Sequence, residues 1–276
     1  MVAMLVLEAN VERRASSSLA PGTILTEIVM LFFRRPGVIH VDCFTHRADV
    51  FNFSKIDHAK KFIPEWWKKL PKNHPTHEHP YATMKTCPGF VDLFQKGVIL
   101  PLWSDLSIIL GEIGNNNVGW QYVDQLSELA VHDAEQRGSY LPEDTFQQIK
   151  LRSPWILQTK QDLDWSVHGV SWCHADPFAM VFSEGVVNFK WQPGTNINFF
   201  LKREKEIRNI LIEAGQPMLQ FIPLTEKKIV LHHHLVDEKE VVKITSGLKY
   251  PKFVNGYNLG KKILEEKESK CPFGFK

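Results

Sequence analysis

The sharpest chemical pattern in the chain is His174-Ala175-Asp176 followed, much later, by His232, His233 and His234. A His-x-Asp pair with one distant histidine supplies two imidazoles and a carboxylate for iron(II). Positions stay open for oxygen and for 2-oxoglutarate as co-substrate. If the histidine run is a strand, His232 and His234 point to one face and His233 to the other, so the third ligand comes from one parity. The pattern also arises by chance in a chain with 12 histidines, and Pro177 directly after Asp176 suits a loop. Lys243 is the basic group available for the co-substrate carboxylate, in a stretch that reads as helix.

Two further sets are candidates for binding. Trp103, Asp105, His132, Gln136 and Lys150 are polar and aromatic groups that could converge on one site, or serve individually in packing and hydrogen bonding. His132 and Gln136 are four apart and share a face if residues 125–138 form a helix. Lys60, Lys61, Lys68, Lys69 and Lys72 surround Trp66 and Trp67. Such interleaving could grip a nucleic-acid strand, but it is also the solvated side of a short amphipathic helix. The second reading is adopted, because the chain's 33 basic and 31 acidic residues leave a net charge of only +2. A dedicated nucleic-acid binder shows a basic stripe.

Other chemistries lack their motifs. Cys43, Cys87, Cys173 and Cys271 form no Cys-x-x-Cys pair, which argues against a zinc ribbon and for a reducing compartment. Neither a Gly-x-Gly-x-x-Gly turn nor a P-loop occurs, and there is no Gly-x-Ser-x-Gly elbow. His132, Asp133 and Glu135 lack the His-Glu-x-x-His spacing of a zinc protease. His74, His77 and His79 sit in a Pro-rich loop.

The elements that must position these groups are mostly strands. Residues 38–45 are β-branched and apolar after Gly37, and residues 50–53 alternate as a second strand. Ser54 is expected to cap a short helix with Ile56, Ala59 and Phe62, Pro64 to open a helix carrying Trp66 and Trp67, and residues 86–94 to form another. Gly97 stands where a left-handed cap is expected. Residues 98–103, 106–113 and 119–123 read as an antiparallel meander. From residue 150 onward, strands are expected at 155–159, 178–182, 186–190, 196–202, 207–212, 218–223 and 229–236, separated by short turns as in a sandwich or barrel. Residues 238–267 read as helix. Residues 1–36 are expected to be a peripheral or poorly ordered extension, or the product of a start codon assigned too early. No signal peptide is expected in them, since Glu8 interrupts the first apolar stretch. No apolar stretch is long enough to span a bilayer. Residues 37–276 read as one domain of α+β class, mainly β. An antiparallel sandwich or barrel-like core is expected, with peripheral short helices and a helical C-terminal segment from about residue 238.

Several phrases stand out along the chain, in a fixed order. They are Phe62-Ile63-Pro64-Glu65-Trp66-Trp67-Lys68, Met84-Lys85-Thr86-Cys87-Pro88-Gly89-Phe90, Leu100-Pro101-Leu102-Trp103-Ser104-Asp105, Ser153-Pro154-Trp155, Thr195-Asn196-Ile197-Asn198, Gly215-Gln216-Pro217-Met218, Ile222-Pro223-Leu224 and Cys271-Pro272-Phe273. By these phrases, in this order, the chain resembles a family of uncharacterised proteins of tailed marine bacteriophages, cyanophages especially, from about residue 38 to its end. The resemblance implies a viral origin, with the host cytoplasm or the virion as location. More loosely, Gly185-Val186-Val187-Asn188 and Gly215-Gln216-Pro217-Met218-Leu219-Gln220 resemble two motifs of the dUTPase and dCTP-deaminase fold. There Asn188 takes the place of the water-activating aspartate, and an amide has no basic site near neutral pH.

Three functions follow as expectations. The first is a non-catalytic module, virion-associated or bound to a phage or host protein, needing no cofactor. The second is a nucleotide-processing enzyme on a dUTPase-like fold. The third is an oxygenase using Fe(II) and 2-oxoglutarate, with His174, Asp176 and one of His232 or His234 as ligands.

Overall fold

A computed structural model describes residues 37–74, 81–112, 118–132, 134–136, 138–142, 145–173 and 180–245, with residues 258, 261–263 and 265–266 near the C-terminus. The expected N-terminal extension, residues 1–36, lies outside them, as do His174, Asp176, His77, His79, Asp133 and Cys271.

The chain opens on β1 (Val38–Thr45), whose Ile39, Val41 and Cys43 alternate into the core. It lies between β15 (Lys228–Leu235), paired in parallel over eight positions, and β8 (Ile156–Gln158), paired antiparallel. A five-stranded antiparallel sheet follows the order β11 (Gly185–Asn188), β9 (Asp164–Gly169), β14 (Pro217–Pro223), β3 (Val98–Pro101), β2 (Asp57–His58). A four-stranded antiparallel sheet joins β10 (Met180–Phe182), β12 (Ile197–Lys202), β7 (Phe146–Arg152) and β6 (Glu128–His132). The last sheet is β13 (Arg208–Ile212), β4 (Leu106–Leu110) and β5 (Val118–Tyr122).

These sheets share one core. Val41, Leu100, Ile108, Leu151, Val167, Phe199 and Phe221, drawn from all four, belong to a single buried cluster. The β3–β14 pair runs on into the β4–β13 pair across a bend. Leu102 N donates to Gln216 O at 2.8 Å, and Gly215 N donates to Leu102 O at 2.7 Å, which carries the ladder through it. Trp155 is fully buried where β7 turns into β8. Its Nε1 donates to Ser54 O at 2.9 Å, so the polar tip of a large apolar ring is satisfied. The fold is therefore α+β and mainly β, with sheets packed on one another as expected from the strand pattern.

Short helices lie at the periphery: α1 (Ala48–Phe53), α2 (Glu65–Lys69), α3 (Pro88–Gln95) and α4 (Glu238–Thr245). Gly97 after α3 has φ +78°, and a Cβ there would lie 2.1 Å from Phe221 O. Glycine is thus required both for the backbone and for the close approach of β14. No helix among the described residues is long and apolar enough to cross a membrane.

Four expectations are corrected. Residues 50–53 are helical, not a strand: Phe51 N donates to Arg47 O and Ser54 N to Val50 O, and only Val50 of α1 is buried. Ser54 caps no helix there; β2 and a 3-10 turn (Ala59–Phe62) follow it. The described residues of 125–138 form no α-helix. Glu128–His132 is a strand because Phe146–Arg152 offers it a partner, and a non-local ladder outweighs local spacing. The meander reduces to the β4–β5 hairpin, since β3 pairs with β14 and β2 instead.

Candidate functional site

The five expected binding residues are spread along the structure. Trp103 is buried, and its Nε1 donates to Ser127 Oγ at 2.6 Å, just before β6. His132, at the far end of β6, lies roughly 16 Å from Ser127 at about 3.3 Å per residue. There its Nδ1 meets Gln136 Oε1, so that contact forms, but at a strand end and a 3-10 turn rather than on a helix. Lys150 sits mid-strand between Ala130 and Asn198. Asp105 is occupied at the ribbon's bend, where Oδ1 accepts from Ala214 N at 2.7 Å and O from Val123 N at 3.1 Å. Each makes local contacts; they do not surround one space.

Trp103 belongs to a network that sequence reading missed. Arg47 lies between β1 and α1 with its side chain 7% exposed. One terminal nitrogen is 2.7 Å from Asp124 Oδ2 and also meets Asp49. The other donates to Ser127 Oγ at 3.0 Å. Asp124 folds its own turn as well, since Oδ1 accepts from the backbone of Leu126 and Ser127. The hydrogen bond from Arg47 holds Asp49 below the usual carboxylate range. Burial works to raise Asp124, but hydrogen bonds from Ser127 and Arg47 outweigh it and hold that carboxyl low too. A guanidinium with every neighbour matched is a clasp between β1 and the β5–β6 turn. It offers nothing to a ligand.

The histidine run follows the expected parity. His232 and His234 share a face with His40 and Asp42 of β1. His40 Nδ1 lies 2.9 Å from His232 Nε2, and His234 Nε2 lies 3.0 Å from Asp42 Oδ1. His233 points the other way; its Nε2 donates to Ile56 O at 2.7 Å and its ring meets Trp155 edge-on. Among the described residues, no group of three or more His, Cys, Asp or Glu is placed to hold a metal ion. The expected partners His174 and Asp176 are outside that set. At the dUTPase-like position, Asn188 is buried and donates to Asp162 and Asp164 at 2.7 and 2.9 Å, tying β11 to β9.

One surface combines exposed aromatics with exposed charge. Pro64 caps α2, and Trp67 packs its ring 4.4 Å from Phe94 of α3, leaving it 6% exposed. Its neighbour Trp66 crosses Trp67 edge-on at 5.7 Å, anchors its Nε1 on Trp172 O at 3.3 Å, and remains 45% exposed. Met84 and Phe90 are exposed on the turn into α3 and its first residues, and Phe90 meets the ring of Trp67. The segment is braced from beneath by Thr83 Oγ1 donating to Pro71 O at 2.6 Å and by Lys85 Nζ donating to Lys68 O at 2.8 Å. Lys68 pairs with Glu65 and Lys61 with Asp57, whereas Lys60, Lys69 and Lys72 make no ion pair among the described residues. Residues 57–96 hold seven lysines against four acids, a net of +3. The rest of the chain therefore nets −1, so the positive balance of the sequence lies in this span.

The fold defines a mainly β, α+β protein, with Trp66 and Phe90 exposed at α2 and α3. No family model matches the chain, and no curated protein matches it.

Proposed function

We propose that the chain is a protein-binding module whose docking surface is the face built by α2 and α3, and whose partner is an acidic segment with an apolar anchor. The half-exposed Trp66 carries this reading. A large ring held rigidly by its neighbours and by one hydrogen bond has little entropy left to lose on binding, and such tryptophans dominate interface energies. The lysines around it add attraction and orientation rather than most of the affinity. The family resemblance makes a phage or host protein the partner class, met in the host cytoplasm or the virion.

Fluorescence anisotropy tests this with acidic peptides carrying one central Trp, Phe or Leu, against the same peptides with Ala. Anchored peptides are expected to bind, more weakly as salt rises, and Trp66→Ala is expected to lower affinity by about 30-fold, roughly 2 kcal/mol. Preference for single-stranded oligonucleotides would reassign the surface to nucleic acid. Indifference to every peptide would end the proposal.

A further inference from the structure

The outer face of β9 carries a second arrangement, separate in chemistry from the docking surface. Residues two apart on a strand share a face, so Ser166 and His168 stand side by side, with Ser166 Oγ 2.5 Å from His168 Nε2. The other ring nitrogen, Nδ1, lies 3.4 Å from Glu184 Oε1, on the turn between β10 and β11. An ionised carboxylate only accepts, so Nδ1 carries the ring proton and Nε2 offers its lone pair to the serine hydroxyl. The 3.4 Å contact is long, as such bonds are before a substrate tightens them. Across the ladder Ser166 is flanked by Val186 of β11 and Ile222 of β14, both apolar and both reached by solvent. His168 is flanked by Gln220, whose side-chain amide donates to Leu93 O and Lys96 O at the end of α3. The face is thus fixed on one side and open on the other.

We propose that Ser166 is an acylatable nucleophile, with His168 as its general base and Glu184 as a positioning residue, acting on small carboxylic esters whose acyl chain lies against Val186 and Ile222. Ser166 Oγ bonds to the ester carbonyl carbon as its proton passes to His168 Nε2. The carbon–alkoxide bond then breaks, and the departing alkoxide takes that proton and leaves as the alcohol. Water adds to the acyl-serine by the same path: His168 takes its proton, the acid departs, and the proton returns to Ser166 Oγ.

The test treats the full chain with p-nitrophenyl acetate or butyrate, follows p-nitrophenol release, and locates the adduct by peptide mass mapping. The acyl group is expected on the Ser166 peptide of the unaltered protein. It should be absent from that peptide in Ser166→Ala, while Ser166→Cys restores acylation at the same position. His168→Gln is expected to slow acylation by about 10²-fold or more. Glu184→Gln should lower kcat with KM unchanged and the melting temperature held, a split that a merely structural role would not produce. Acylation confined to lysines, or a Ser166→Ala variant as reactive as the parent, would overturn the assignment.

Discussion

Arg47 and the lysines around Trp66 pair the same residue types, cations beside tryptophans, to opposite ends. Arg47 is sealed: its planar fork of donors is matched by Asp49, Asp124 and Ser127, and Trp103 donates to that same serine. Lys60, Lys69 and Lys72 are exposed to solvent on the segment that carries Trp66, a tryptophan only half covered. Composition does not separate a structural clasp from a docking surface. What separates them is whether the chain itself supplies the groups that complete the cation and cover the ring.

The strongest way to break this contrast is Arg47→Met. Removing one member of a buried pair leaves Asp124, 12% exposed, without its cation, and such losses cost about 3–5 kcal/mol. Urea denaturation should show a lower midpoint at unchanged slope, with peptide affinity at α2 and α3 unaltered. Asp49 and Asp124 titrate below their ordinary value in the folded state, whereas the unfolded chain protonates them first as pH falls. The stability they contribute is present above the ordinary carboxylate value of 3.8 and is lost as pH drops through the folded values. The variant should weaken this acid limb, leaving the part that Ser127 and the backbone donors supply. Loss of peptide binding at full stability would instead make Arg47 part of the interface.

A smaller effect sharpens the other side. Cys87 is exposed at the start of α3, between Met84 and Phe90, whereas burial pushes the Cys173 thiol up to about 12 and raises that of buried Cys43. The thiolate is the reactive form, so a maleimide should modify Cys87 before Cys173 or Cys43, as read by peptide mapping. A bulky adduct there should block the acidic peptides while the melting temperature stays within a few degrees, a shift of under about 1 kcal/mol. Undiminished binding by the adduct would move the docking surface away from α3.

How much of this was legible follows from distance along the chain. The ends of β12, β14 and β15 were expected to within a residue or so, because each is an apolar run between turn residues. α1 was misread because Phe51 and Phe53 alternate around Asn52 as strand residues do, although Phe53 is almost wholly exposed. β6 was misread because Leu126, Leu129 and Ala130 have helical spacing, and only β7 reveals the pairing. Trp66 and its lysines are adjacent in sequence and could be noticed there. Arg47 could not be linked to Ser127, 80 residues on, nor His40 to His232, 192 residues on. Ser166 and His168 are only two apart, but β9 itself went unrecognised, since its Asp-Trp-Ser-Val-His-Gly text lacks an apolar run.

The smallest expected effect extends the comparison to histidine, where covering by the chain decides the protonation state. His233 lies against Trp155 and donates to Ile56 O, and burial lowers its proton affinity below the ordinary value of 6.5. His58 is lowered as well, by burial first, with Lys60, Lys61 and His233 acting in the same direction. A histidine kept neutral by burial is protonated sooner in the unfolded chain than in the folded one. Its stabilising contribution is therefore complete above the unfolded value and is lost as pH falls through the folded one. Thermal melts from about pH 7.5 down to about pH 5 should show stability declining. His233→Gln keeps a donor for Ile56 O but has no proton to gain, so it should flatten the decline while changing stability little at the upper end. An equally steep decline in that variant would transfer the effect to His58, and His58→Gln would then be the variant that flattens it.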